Sequence, residues 1–375
     1  MKIVFICSSL EPGKDGVGDY TRLLAGELVR QGNTVALLSL NDRFVNEVFT
    51  GMQPSEGVDV PVKRLPSSFF KKERFTHAKE WIGYHNPEWL SLQFVPFGFH
   101  PKGLKVGLGK FLLSVGGDRQ WHIMFHELWV GVAVEESKKL IWWGRLQRYL
   151  IKSLILKLHP KVIHTQTPLY KALLEKLGFN AEYLPLFGNI PVTGMVNAQN
   201  GKDISGINKK LSFVVFGSIH DGAPINEFAK DVASYSLKNN IPATLTFIGR
   251  CGAEQDRWSA VWEAEGLKAE TLGEQPTERI SEILSISTIG ISATAFAVIE
   301  KSGSVAAMRQ HGLPVLCVSK SWHPAGMTNL QAPPGIIEYR IGNFEACLAA
   351  IEPMPLTANV SDIAGKFISA LSKVS

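Results

Sequence analysis

The sequence predicts an α/β protein with two parallel-sheet domains. Strand-like apolar runs alternate with helical patterns over almost the whole chain, as they do where crossover helices join parallel strands. One stretch, "GNIPVTGMVNAQNGKDISGINKK" (188–210), breaks that alternation and has neither periodicity nor a strong apolar face, so it reads as a linker. A length of 375 residues also exceeds what one ordinary core organises.

The first domain, 1–188, is expected to place strands at "KIVFIC" (2–7), "TVALLSL" (34–40), "WLSLQFVP" (89–96), "WHIMFHE" (121–127), "KVIHTQT" (161–167) and "AEYLPLF" (181–187). Between the first two lies "GDYTRLLAGELVRQGN", apolar at Leu23, Leu24 and Leu28 and closed by Gly32, which is a crossover helix with a glycine stop. After a linker over 189–210, a second domain (211–357) repeats the pattern with "LSFVVFG" (211–217), "ATLTFIG" (243–249), "TIGIS" (288–292), "PVLCVS" (314–319) and "GIIEYR" (335–340). The last residues, 358–375, are expected to form an amphipathic helix packing back on the first domain.

Composition narrows the class. With 45% hydrophobic and 19% charged residues, the chain is expected to fold rather than to be disordered. No apolar run reaches a bilayer-spanning length and Met1 leads straight into a strand-like run, so neither a signal peptide nor an anchor is expected, and the expected location is cytoplasmic. The four cysteines, Cys7, Cys251, Cys317 and Cys347, are far apart, and three sit in or beside apolar runs; they read as buried reduced thiols rather than disulfides or zinc ligands. A formal charge of +5 is too mild to indicate nucleic acid.

The distribution of that charge matters more. "KKLIWWGRLQRYLIKSLILKLHPK" (138–161) holds seven Lys or Arg, no acidic residue, and the interleaved aromatics Trp142, Trp143 and Tyr149. Such a helix suits peripheral contact with an anionic membrane. The alternative is an ordinary surface helix whose Leu and Ile face is core.

Two turns carry the candidate chemistry. In "SSLEPGKDGVGDY" the glycines Gly13, Gly16 and Gly18 crowd between the first strand and its helix. The spacing does not match the dinucleotide fingerprint, so bound NAD is not expected. Close approach of backbone N–H groups to an anion at the helix start is one reading; in its place, Asp19 could accept hydrogen bonds from sugar hydroxyls. A turn with positive φ at Gly16 or Gly18 and an N-cap at Asp19 is the other. The second turn is "ATAFAVIEKSGSVAAMRQHGLPVLCVS" (293–319). There Ser302, Gly303 and Ser304 open a helix beside Lys301 and Glu300, a set of amides, hydroxyls and a cation suited to a diphosphate, with Glu300 for a sugar hydroxyl.

With these residues in hand, the chain resembles a GT-B fold glycosyltransferase of the large retaining family (glycosyltransferase family 4-like) that includes sucrose-synthase-like and mannosyltransferase-like enzymes. The resemblance spans nearly the whole length. It rests on "DGVGDYTRLLAGELVRQGNTV", "FHE" at a strand end, "VVFGSIHDG", "TFIGRCG", "LGEQPTERISEILSISTIGIS" and "EKSGSVAAMRQHGLPVL", in that order. It implies two Rossmann-like domains facing each other across a cleft, a nucleotide diphosphate sugar as substrate, a glycan or lipid-linked acceptor, and neither cofactor nor dedicated metal. Gly16 and Gly18 would line the donor phosphate and acceptor side. His126 would touch the donor sugar near the reacting carbon. Leu272, Gly273 and Gln275 would hold the base, Gly217 and Ser218 would open the donor domain, and Lys301 to Ser304 would take the diphosphate and sugar. The implied role is retaining sugar transfer in cell-surface polysaccharide synthesis.

The chain departs from that pattern at cations. Ser218 stands where the family usually has Arg, "IHDG" offers no following Lys, and Ala307 stands where a ribose-binding glutamate is usual; the family's earlier glutamate falls on Ile299, beside Glu300. Lys301 and Arg250 are the candidates to compensate. A second expectation therefore stays open, a GT-B scaffold that binds a glycan or a partner glycosyltransferase without turnover. A sugar-nucleotide epimerase ranks below both, because no set of carboxylates for proton abstraction is evident.

Overall fold

The computed structural model describes residues 1–193, 210–327, 331, 333–352 and 357–374. The chain divides into two units, Met1–Pro185 together with Val360–Ser375, and Leu186–Asn359. Of the 189–210 segment, residues 194–209 lie outside the described residues, whereas Ile190 and Thr193 pack with the second unit, Thr193 donating its N–H to Ser281 Oγ at 2.9 Å.

The first unit is an eight-stranded sheet. Its strands are β1 (Lys2–Cys7), β2 (Thr34–Asp42), β3 (Phe49–Ser55), β4 (Val58–Pro66), β5 (Trp89–Phe94), β6 (Gln120–Phe125), β7 (Val162–Thr165) and β8 (Glu182–Tyr183), in the order β3-β4-β2-β1-β5-β6-β7-β8. Pairing is parallel except between β3 and β4. Its helices are α1 (Gly16–Arg30), α2 (Lys71–His85), α3 (Pro96–Phe99), α4 (Leu108–Gly116), α5 (Lys138–Leu158) and α6 (Pro168–Lys176). β1 and β5 are buried on both faces, which is why they read as unbroken apolar runs.

Two features differ from the sequence reading. The expected strand over 181–187 shrinks to Glu182–Tyr183, because Pro185 has no N–H to continue the ladder. The β3–β4 hairpin was not expected. Glu56 and Gly57 both have positive φ, 45° and 86°, and form its two-residue turn. Pro54 and Pro61 mask it in sequence; Pro54 is tolerated on an edge strand.

The second unit has a wholly parallel sheet with β9 (Leu211–Phe216), β10 (Ala243–Ile248), β11 (Lys268–Gly273), β12 (Ile289–Ser292), β13 (Val315–Cys317) and β14 (Ile336–Glu338) in the order β11-β10-β9-β12-β13-β14. Alternate residues of β9 face opposite layers. Phe213 and Val215 pack with Phe228 of α7 (Ile225–Asn239) and with Trp258 and Trp262 of α8 (Glu254–Ala264). Val214 packs with Ile280 and Leu284 of α9 (Thr277–Ile286) and Met308 of α10 (Gly303–Gln310). Helices on both faces of a parallel sheet define a Rossmann-like unit. A short α11 (Phe344–Ala349) completes it.

The final helix, α12 (Val360–Ser372), belongs to the first unit: Phe367 stacks on Phe5 of β1, ring centroids 5.6 Å apart, and meets the His122 ring edge-on at 5.0 Å. The four cysteines are free and buried. Among the described residues no helix is long and apolar enough to cross a membrane.

Candidate functional site

In an open parallel sheet, ligands collect beyond the carboxyl ends of the strands where the strand order reverses. In the second unit the chain runs outward from β9 through β10 to β11, then restarts on the other side of β9 with β12. The reversal lies between β9 and β12, and the sequence candidates Gly217, Ser218 and 300–304 follow those two strands.

Three glycines shape this edge. Gly217, Gly249 and Gly273 have φ of +80°, +81° and +66°, a left-handed conformation that side-chain-bearing residues adopt at a cost. They terminate adjacent strands and are linked: Gly217 N–H donates to Ile248 O at 3.0 Å, and Gly249 N–H donates to Gly273 O at 2.7 Å. The edge is therefore lined by backbone rather than by side chains. Gly249 was not singled out in sequence; the recurrence of glycine straight after each of these strands is the signal that would have found it. Leu272 and Gly273 are the last residues of β11.

Across from this edge, α10 begins. Ser302 is its N-cap, its hydroxyl accepting from Val305 N–H at 3.4 Å, so one of the first-turn amides is already engaged. The Ser304 hydroxyl faces Gly217: a Cβ at 217 would lie 2.7 Å from Ser304 Oγ. Glu300 and Lys301, both half-buried, end the 3₁₀ turn Phe296–Lys301 that leads into Ser302. Ala307 is fully buried one turn further on, where a carboxylate would have no water.

Arg250 and Gln275 are committed elsewhere. Arg250 makes a two-pronged ion pair with Glu274, Nε–Oε1 2.8 Å and Nη2–Oε2 3.0 Å, and is 57% exposed. Gln275 donates to Leu272 O at 2.6 Å. Ser218 is exposed.

The first unit holds the remaining candidates, and here the glycine turn needs correcting. Gly16 and Gly18 lie within α1 and lack positive φ; Gly13 has it, at +68°. The N-cap is Asp15, not Asp19. Its carboxylate accepts from Val17 N–H at 2.9 Å and Gly18 N–H at 3.0 Å, so the amides expected to meet a phosphate are taken by a carboxylate from the same chain. Asp19 accepts from Gly13 N–H at 3.0 Å and pairs with Arg22, which closes the loop. Gly18 is needed for packing, since a Cβ there would come within 2.7 Å of the Ser9 carbonyl oxygen.

His126 directly follows β6 and is 5% exposed. It lies edge-on to Tyr20 of α1 at 5.0 Å, which brings the strand end and the start of α1 together. Burial pushes its imidazole down to about 4, so it is neutral near pH 7. It belongs to a buried chain of polar groups crossing three strands. His126 Nε2 donates to Gln93 Oε1 (2.9 Å), Gln93 Nε2 donates to Ser91 Oγ (2.8 Å), and Ser91 Oγ is hydrogen-bonded to His122 Nδ1 (2.8 Å). His122 Nε2 is hydrogen-bonded in turn to His164 Nδ1 (3.0 Å), and His164 Nε2 lies 3.9 Å from the Glu182 carboxylate. Of these links only His126–Gln93 sets its own direction, because the amide oxygen accepts and the ring nitrogen must donate. Among the described residues, no group of three His, Cys, Asp or Glu side chains is placed to hold a metal ion.

No protein-family model matches the chain, and no curated protein is similar to it in sequence. Solved structures are similar in fold. The chain superposes on α,α-trehalose 6-phosphate synthase from Burkholderia multivorans with a TM-score of 0.56 at 10% identity, covering 100% of this chain and 96% of that one. For the pneumococcal O-GlcNAc transferase in complex with UDP and GlcNAc the TM-score is 0.55 at 10% identity, covering 99% of each chain. For the UDP-GlcNAc 2-epimerase from Neisseria meningitidis bound to UDP-GlcNAc it is 0.52 at 10% identity, covering 100% of each. The fold is GT-B, with two Rossmann-like domains.

Proposed function

We propose that this chain is a nucleotide-sugar-dependent glycosyltransferase that works with retention of configuration. The observation that carries the reading is the opening at the β9–β12 reversal, where a backbone-lined strand edge at Gly217 stands against the start of α10 at Ser304. A diphosphate would sit on the N–H groups and hydroxyls of 302–304, favoured by the positive end of α10, with Lys301 neutralising charge that grows on the leaving phosphate. Glu300 would hold a sugar hydroxyl. Neutral His126, its tautomer fixed by Gln93, would position the sugar rather than supply charge. In this reaction the leaving phosphate oxygen takes the acceptor proton, and the protein acts by orientation and electrostatics without a dedicated metal.

The acceptor is a glycan or a lipid-linked intermediate of cell-surface polysaccharide synthesis, met at the inner face of a membrane. Two properties of α5 support this. Its inner face buries Gly144, Gln147, Ile151, Leu154, Ile155 and Leu158, yet its outer face also carries apolar residues: Trp142 is 69% exposed, Leu146 48% and Tyr149 68%. Those three follow one another at helical spacing among Arg145, Arg148 and Lys152, with Arg145 over the Trp142 ring at 5.2 Å. An outward apolar stripe flanked by cations complements an anionic lipid surface.

A second reading, a GT-B scaffold that binds a glycan or partner enzyme without turnover, is favoured by Arg250. Its charge is matched by Glu274, so the loss of the family's Arg at Ser218 is not made good from β10. Transfer and donor hydrolysis measured against a panel of nucleotide sugars, with Lys301→Ala as control, separates the two. Turnover abolished by Lys301→Ala supports the enzyme; no turnover of any donor supports the scaffold.

A further inference from the structure

A cavity of about 950 Å³ opens in the first unit beyond the carboxyl ends of β2 and β4. It is bounded by the start of α2, by α3 and by the segment leading into α4. Its size is that of a small-molecule site. Four cations line it, Arg43, Lys71, Arg74 and Lys105, with Phe69 and Phe111 among the apolar walls, and no Asp or Glu does. Among the described residues none of the four cations makes an ion pair.

Arg74 is the most telling of them. It is 8% exposed, and its Nη2 donates to the carbonyls of Ser67 at 3.1 Å and Phe69 at 2.9 Å, which locks the guanidinium in place. Its Nε is buried without a partner. A buried guanidinium with an idle N–H and no counter-charge is costly unless an anion comes to it. Lys105 arrives from a different segment, and burial, with the Arg74 charge adding to it, pushes its ammonium down. Like charges brought together beside aromatic walls suit a ligand with a multiply charged head and an apolar body. The apolar path also continues. Lys105, Val106 and Leu108 line a second cavity of about 250 Å³ that runs to Tyr149 and Leu154 of α5.

We propose that the larger cavity binds the phosphate or diphosphate group of an ester, with Arg74 and Lys105 as its principal contacts and Arg43 and Lys71 at its mouth. Taking that ester as the acceptor rests on the transferase reading; the binding itself does not, and it is tested without any sugar donor. The full chain is titrated calorimetrically with farnesyl phosphate, farnesol and glucose 1-phosphate, as wild type and as Lys105→Gln, Arg43→Gln and Arg74→Ala. Farnesyl phosphate is expected to bind about tenfold or more tightly than farnesol, and Lys105→Gln to weaken it about tenfold, the effect of losing one charge-assisted contact. Tighter binding of farnesyl phosphate than of glucose 1-phosphate supports the site and makes its ligand a lipid phosphate; the reverse supports it and makes the ligand a soluble phosphate ester. Because Arg74 also ties the 66–70 turn, the Lys105→Gln and Arg43→Gln variants decide if Arg74→Ala fails to fold. No binding of either phosphate, farnesol binding as tightly as its phosphate, or full affinity in the Lys105→Gln/Arg43→Gln double variant overturns the proposal.

Discussion

Gly217 and Ser304 meet at the strand reversal of the second unit: there is room for the Ser304 hydroxyl only because residue 217 has no side chain. Gly217→Ala adds a Cβ 2.7 Å from Ser304 Oγ at a φ of +80°. The backbone conformation alone costs about 1–2 kcal/mol. Ser304→Ala relieves only the crowding, so the double variant is expected to recover part of the loss, and a double-mutant cycle by chemical denaturation measures that part. Strict additivity would show that the two residues do not touch.

The two glycines of α1 should respond differently. Gly18→Ala places a methyl group 2.7 Å from the Ser9 carbonyl oxygen, backbone that cannot swing aside, and should cost about 1–3 kcal/mol. At Gly16 nothing lies within 4 Å, and Gly16→Ala should stay within about 0.5 kcal/mol of wild type. Thermal unfolding of both variants checks the contrast.

Acid should weaken the first unit through its buried histidines. Burial depresses His126 and His164 to about 4, and burial with the neighbouring His164 and His126 holds His122 well below the usual range, against about 6.5 in an unfolded chain. The unfolded state therefore binds more protons in that window. Stability is complete above about pH 6.5 and falls as pH drops toward 4, by up to about 1.4 kcal/mol per histidine per pH unit. Urea midpoints measured from pH 7.5 to 4.5 should fall steadily. In His122→Gln the slope should be shallower, by about one proton.

The outer face of α5 should bind vesicles. Trp142→Ala with Tyr149→Ala is expected to reduce co-sedimentation with vesicles containing anionic lipid. Raising salt should do the same, because the cations contribute only within a Debye length. Unfolding midpoints should change little, since both rings are mostly exposed. Equal sedimentation of wild type and variant removes α5 from the membrane contact.

The parallel strands were legible because burial on both faces leaves continuous apolar runs, as in "KIVFIC" and "LSFVVFG". The β3–β4 hairpin was not, since prolines at 54 and 61 read as breakers and its edge position became clear only from the sheet order. At the first glycine turn, Asp15 and Asp19 are both able to cap, and only the backbone reveals that Asp15 does so and that Asp19 closes the loop through Gly13 and Arg22. The basic cavity had no sequence signal at all. Lys71 and Arg74 share the first turn of α2, but no local pattern joins them to Arg43 and Lys105, which only the fold brings to the same cavity.

The most direct test of the central claim is calorimetric titration of the chain with UDP, ADP and GDP. One of them should bind, and Lys301→Ala and Gly217→Ala should each weaken it about tenfold or more. If none binds, or if the affinity is unchanged by both substitutions, the diphosphate is not held at the start of α10.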